Sequence, residues 1–515
     1  MQDMKEEIVG QIVGGTFGEL IIRKKRDAKI ELGEILVAED GNEKHFLQIY
    51  DIRHGSQISQ QNIELISGLQ LEESNDVDIL DEHIRNYSLA IAKSILFLGN
   101  RIGLPKSLPP FMKKVRRLNK EDLSFLSKPE NALFFGYLRS GNNKIDVPVF
   151  LNGEDILSHH VLLAATTGRG KSNLTSVILW DLAGKDYAGA LVLDPHDEYF
   201  KSSRKKPGLE RHPMKHKIAY YSRAPIGGGN SLYINLKSLK PEHFDGVLNL
   251  SDPQREAIYY FFSRYNENWL YELLNGENYA EGFQEGSISV LKRKLSGLLE
   301  VRKNEQGFKC SSIFKIDEGE TIVDDICSKL EKGNVVIVDT SLLSSSQEIL
   351  VGSIIASRML ERYSRYKRRG ELGNKPVITI VLEEAPRVIG KEALEAGPNV
   401  FSRIAREGRK FKVGLYAITQ MPSLIPLSIL ANMNTKIIMG IEIRSERQSL
   451  IESCPQDLSD ESKSIASLDK GEAIVSSTFS RFALPIAIPL LSEFVSSFKE
   501  NNDDEDKAKR AIIGM

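Results

Sequence analysis

The chain has 515 residues, 41% of them hydrophobic and 27% charged, which gives room for about three ordinary domains or one large domain with additions. Its 68 basic and 70 acidic residues leave a net charge of −2, which excludes a uniformly cationic coat for gripping nucleic acid but not a locally basic channel. No low-complexity tract and no apolar run near the roughly 18 residues of a membrane span is present, and Cys310, Cys327 and Cys454 lie too far apart for a disulfide framework or zinc motif. The opening MQDMKEEIVG lacks the basic-then-apolar layout of a secretory leader, so a cytoplasmic location is expected.

In chain order, residues 8–13, 19–23, 34–38 and 46–52 read as short strands punctuated by Gly14-Gly15, Gly33 and Asp40-Gly41, the pattern of a small β-barrel. Ile84, Tyr87, Ile91, Ile95 and Leu98 fall at helical spacing, which predicts a helical excursion over about 79–125, broken by Pro105, Pro109 and Pro110. Strands at 132–138 and 144–150 are expected to complete the barrel. From His160 onward, apolar runs at 161–165, 190–193, 217–221, 334–338, 377–382, 413–418, 437–441 and 473–476 alternate with helical stretches. Continuous apolar strands separated by helices imply an α/β domain with a parallel sheet covered on both faces. Residues 240–332 are mainly helical and charged, as in an inserted helical subdomain. The expected organisation is a barrel at 1–155, a core at 156–490 and a tail at 491–515, whose last fifteen residues open acidic.

Residues Ala165-Thr166-Thr167-Gly168-Arg169-Gly170-Lys171-Ser172 follow a predicted strand and open a predicted helix, the layout of a P-loop. Small residues let successive backbone N–H groups curl around phosphate oxygens, and the helix N-terminus adds a positive dipole. Thr167, Gly168, Arg169, Gly170, Lys171, Ser172 and Asn173 are therefore the candidate nucleotide-binding residues, with Lys171 reaching the β- and γ-phosphates and Ser172 ligating Mg²⁺. Ala165 stands where such loops usually begin with glycine; a positive φ there would cost about 1 kcal/mol.

The strand at 377–382 ends in Glu383-Glu384, with Glu383 expected toward the metal and Glu384 polarising the attacking water. The strand at 413–419 ends in Gln420, whose amide is placed to sense the γ-phosphate. Asp194 and Glu198 either support Mg²⁺ and water or cap their loop by bonding to its backbone.

Taken together, HHVLLAATTGRGKSN around Lys171, LVLDPHDEY at 191–199, VLEEAP at 381–386, IAREGRKFKVGLYAITQMP at 404–422, LDKGEAIV at 468–475 and the N-terminal IVGQIVGG resemble the HerA/FtsK superfamily, most closely the HerA-type DNA translocases. That resemblance implies a RecA-like ATPase core behind a small barrel. It implies a homo-hexamer with ATP and Mg²⁺ between protomers, double-stranded DNA in the central channel and a nuclease partner of NurA type. It assigns Arg409, with Arg406 and Lys410 as near alternatives, to an arginine finger reaching a neighbour's nucleotide. The sequence departs from the family where Asp197 replaces a common glycine and where His159 stands at a commonly basic position. Among the basic clusters, Lys201, Arg204, Lys205 and Lys206 are the candidates for DNA phosphates, since they follow a strand end where ligand loops gather. A ring scaffold controlled by ATP and a conjugation or DNA-packing ATPase are the alternative functions.

Overall fold

The computed structural model describes residues 7–73, 85–203, 206–225, 228–275, 282–304, 307–395 and 397–497. Six N-terminal strands, Ile8–Gly15, Leu20–Lys24, Ile35–Asp40, Glu43–Ser56, Asn86–Leu98 and Lys114–Arg117, form a closed barrel. Closure follows because Leu20–Lys24 pairs with Ile8–Gly15 on one side and with Asn86–Leu98 on the other. Strand alternation divides the side chains between two cores. Leu36 and Ala38 join Ile22, Leu47, Ile49 and Val115 inside the barrel, whereas Ile35 and Val37 point outward and pack with Leu133, Phe134 and Phe135.

Two expectations for this region are corrected. Residues Asn86–Leu98, expected to be helical, form a strand paired along Glu43–Ser56; Ile84 lies outside the described residues. An extra residue in this strand, Ile95, opposite the Phe46–Leu47 step shifts side chains from one face to the other, which hides a period of two and imitates helical spacing; a second irregularity lies on the partner strand between Ile49 and Asp51. A helix does interrupt the barrel, but earlier, at Gln60–Glu73. The strands Ala132–Ser140 and Asn143–Asn152 do not complete the barrel; they pair with each other and reach Leu484–Ala487 at the flank of the larger sheet.

That sheet has 12 strands, of which the central run is parallel in the order Ile218–Ser222, Val335–Asp339, Ala188–Asp194, Val377–Leu382, Val413–Thr419, Val161–Ala164, Thr435–Ile438. Its strands are buried on both faces, as their unbroken apolar runs required: Leu162 faces one core and Leu163 the other. Between 240 and 332 the chain forms the helices Asp252–Tyr265, Trp269–Asn275, Glu285–Leu299 and Ile322–Leu330, together with a hairpin of Val301–Asn304 and Gly307–Cys310. No helix among the described residues is long and apolar enough to cross a membrane. Because the central strands run parallel, Ala164, Asp194, Leu382 and Thr419 end at one edge, and the loops leaving that edge gather there.

Candidate active site

The P-loop gets its shape from two left-handed glycines, Gly168 at φ +81° and Gly170 at φ +108°, the latter capping the helix Lys171–Leu182. A side chain at Gly168 would meet nothing within 4 Å, so the backbone conformation, not space, demands glycine there. Ala165 lies outside the left-handed region; it is buried, and its N–H donates to the Thr419 carbonyl at 3.2 Å. Alanine in place of the first glycine therefore carries no backbone strain. The Lys171 ammonium donates to the carbonyls of Ala165 (3.0 Å) and Thr166 (3.1 Å). Burial lowers its pKa and the Glu383 carboxylate opposes that shift.

Across the cleft, the buried strand Val377–Leu382 ends in the two acids. Burial pushes the Glu383 carboxyl upward, while a hydrogen bond from the buried Tyr199 hydroxyl favours its ionised form. Glu384 has a left-handed φ of +47°, a conformation that costs a non-glycine residue about 1 kcal/mol and that turns its half-exposed side chain away from the strand direction. Its carboxylate lies 3.5 Å from Arg387, which is itself held by Glu348 at 3.0 Å. The acid strand is not adjacent to the P-loop strand: Val413–Thr419 runs between them and brings Gln420 to the middle of the site. There the Gln420 amide oxygen accepts a 2.5 Å hydrogen bond from the Thr167 hydroxyl.

Thr167, Gly168, Gly170, Lys171, Ser172, Asn173, Glu383, Glu384 and Gln420 thus share the lining of one cleft of about 740 Å³. Arg169 turns out of it, donating to the Leu468 carbonyl at 2.9 Å and pairing with Glu442. The Asn173 side chain is engaged elsewhere, donating to the Pro489 carbonyl (2.9 Å) and accepting from the Leu491 N–H (3.0 Å). It fastens the C-terminal segment to the P-loop helix.

Asp194 makes the hydrogen bonds that the capping reading asked for. Its buried carboxylate accepts from the N–H groups of His196 (3.3 Å), Glu198 (3.1 Å) and Tyr199 (3.1 Å), and burial raises it to about 6 despite those bonds. Asp194 therefore lies beneath the cleft and shapes the loop above it. Asp197 has φ +51°; aspartate is among the residues that tolerate this conformation, and here it pairs with Lys201.

Lys201 and Lys206, expected to meet DNA phosphates, line this same cleft. Arg204 and Lys205 lie outside the described residues. Arg409 is exposed in the turn Gly408–Phe411, before the strand Val413–Thr419, whereas Gln420 follows that strand. Seven extended residues put Arg409 roughly 20 Å from the cleft, beyond its own reach. His159 stands at the same end, its ring bonded to the Asp155 carbonyl at 2.7 Å and edge-on to Phe479, as the cap of the short helix Gly153–Ser158.

Sequence reasoning missed Tyr199. Its signal was an aromatic residue five positions after the strand-end Asp194, following Pro195, His196, Asp197 and Glu198. No cluster of three or more His, Cys, Asp or Glu among the described residues is arranged to hold a metal. A Mg²⁺ bound chiefly by phosphates and water asks for only one or two protein oxygens, and Ser172 and Glu383 offer them within the same cleft.

Residues 133–359 match the family model described as the central domain of helicase HerA. The chain is 27% identical over 487 residues to the DNA double-strand break repair helicase HerA of Saccharolobus solfataricus, covering 91% of this chain and 89% of that one. It is 26% identical over 526 residues to the protein of the same name from Sulfurisphaera tokodaii, covering 98% of each. Among solved structures, VirB4 of Thermoanaerobacter pseudethanolicus matches with a TM-score of 0.45 and 15% identity, over 72% of this chain and 99% of that chain.

Proposed function

We propose that this chain, whose residues 133–359 match the central domain of helicase HerA, is a HerA-type member of the HerA/FtsK superfamily and an ATPase whose hydrolysis cycle drives translocation along double-stranded DNA during the processing of DNA ends. The observation that carries the reading is the meeting of Lys171, at a glycine-capped helix N-terminus, with Glu383 and Glu384 in one cleft, and with Gln420 bonded to Thr167 between them.

The helix N-terminus and the left-handed glycines point backbone N–H groups at the phosphates, and Lys171 neutralises the β- and γ-oxygens. Ser172 and Glu383 would hold Mg²⁺, which would supply charge neutralisation on the β- and γ-phosphates. Glu384, displaced from the strand by its left-handed backbone, accepts a hydrogen bond from the attacking water and aligns it with the γ-phosphorus. Gln420 links the phosphate end of the site to the strand Val413–Thr419, whose other end carries Arg409. A cation arriving from a neighbouring protomer stabilises transition-state charge, so hydrolysis depends on assembly, and the distance of Arg409 from its own cleft supports that arrangement. The assembled form is proposed to be a hexamer enclosing DNA, with a nuclease of NurA type as its partner.

The test is displacement of a protein roadblock from the end of a linear duplex by the purified chain with Mg-ATP. Wild-type protein should clear the roadblock, and Glu384→Gln should bind Mg-ATP yet leave it in place. Clearance by Glu384→Gln at the wild-type rate, or none by the wild type, would remove the motor reading.

A further inference from the structure

The loop that follows Asp194 carries two lysines into the nucleotide cleft, and they stand in different electrostatic circumstances. Lys201 is neutralised locally, paired with Asp197 on its own loop. Lys206 has no ion-pair partner among the described residues; its ammonium donates to the Glu198 carbonyl at 3.3 Å and lies 5.6 Å from the centre of the Tyr199 ring. An ammonium has three N–H donors, and this one is partly withdrawn from water by the ring and the cleft walls. The carboxylates of Glu198, Asp194 and Glu383 favour its charge without forming an ion pair with it, which leaves the ammonium donors open to an anion at bonding distance.

Position identifies the anion. Lys171 approaches the cleft from the P-loop helix and Lys206 from the facing loop, and Glu383 lies within electrostatic range of both. Tyr199 joins these parts, because it forms the floor under Lys206 and its hydroxyl bonds to Glu383. The phosphate beside the strand-end acids is the one that leaves on hydrolysis. We propose that Lys206 contacts the γ-phosphate from the side opposite Lys171, so that the loop anchored by Asp194 discriminates nucleoside triphosphate from diphosphate. The inference rests on the ATPase reading and adds to it a γ-phosphate ligand outside the P-loop, in cis. Tyr199, beneath Lys206 and bonded to Glu383, ties that contact to the strand-end acid.

The experiment measures equilibrium affinities of wild-type protein, Lys206→Met and Lys206→Arg for Mg-ADP and for the slowly hydrolysed analogue Mg-ATPγS. Losing a charge-assisted bond to phosphate should weaken ATPγS about ten- to a hundredfold in Lys206→Met, leave ADP within about twofold, and be largely restored in Lys206→Arg. A purely structural role in balancing the acids of the loop would weaken both nucleotides alike. That result, or unchanged affinity for both, overturns the γ-phosphate assignment while wild-type binding preserves the ATPase reading. Failure of the wild type to bind either nucleotide overturns both.

Discussion

Arg409 offers a quantitative test of whether each site is shared between subunits. The strand Val413–Thr419 separates it from Gln420 at the cleft, roughly 20 Å away, and an arginine side chain spans only about a third of that distance. Arg409→Ala should therefore leave nucleotide binding intact but lower turnover by about a thousandfold or more, the usual worth of an arginine finger. Lys171→Ala should be equally inactive for a different reason. When the two variants are mixed in equal amounts and assemble at random, a site keeps its own Lys171 half the time and meets a neighbour's Arg409 half the time, so about a quarter of the sites are intact. Steady-state phosphate release from unfolded-and-refolded or subunit-exchanged mixtures should rise from near zero to about a quarter of the wild-type rate, with its maximum at equal ratio. Mixtures as inactive as both parents at every ratio would refute the shared site. Wild-type turnover in Arg409→Ala alone would refute the finger itself.

Two further outcomes test the stability side of the account. Since Ala165 is buried and outside the left-handed region, Ala165→Gly should lower the unfolding free energy by about 1 kcal/mol; a rise in Tm would mean that alanine is strained there after all. At the base of the barrel, burial would raise the Asp122 carboxyl, but hydrogen bonds from Arg116 (2.7 and 2.8 Å) and Lys44 (2.8 Å) outweigh it and hold the pKa at about 2. A depressed carboxyl contributes stability that is complete above its unfolded pKa near 4 and is lost as pH falls through 2, here about 2 kcal/mol. Asp122→Asn should thus lower the urea midpoint at pH 7 and converge on the wild type toward pH 2; an equal gap at both pH values would contradict the assignment.

Much of the candidate site could be read directly from the chain because its motifs are local. Gly168, Gly170 and Lys171 sit in consecutive turns, and Glu383, Glu384 and Gln420 terminate uninterrupted apolar strands, so residue order alone suggested one site. What escaped was set by tertiary pairing. The strand Asn86–Leu98 owes its conformation to a long ladder with Glu43–Ser56, whose bulges erase the alternation that would have announced it. The three N–H groups that turn toward Asp194 come from the path of its loop, which residue order does not encode. Lys201 and Lys206 read as one basic run, yet the fold of the loop points them into the nucleotide cleft, and no spacing rule encodes that direction. Tyr199 required knowing that its loop folds back over Glu383.

The most direct test of the whole account is ATP turnover by purified wild-type protein and Lys171→Ala, each with and without linear duplex DNA. Hydrolysis by the wild type should be present, should rise severalfold with DNA, and should vanish in Lys171→Ala under both conditions. Wild-type protein that neither binds nor cleaves Mg-ATP, with or without DNA, would contradict it.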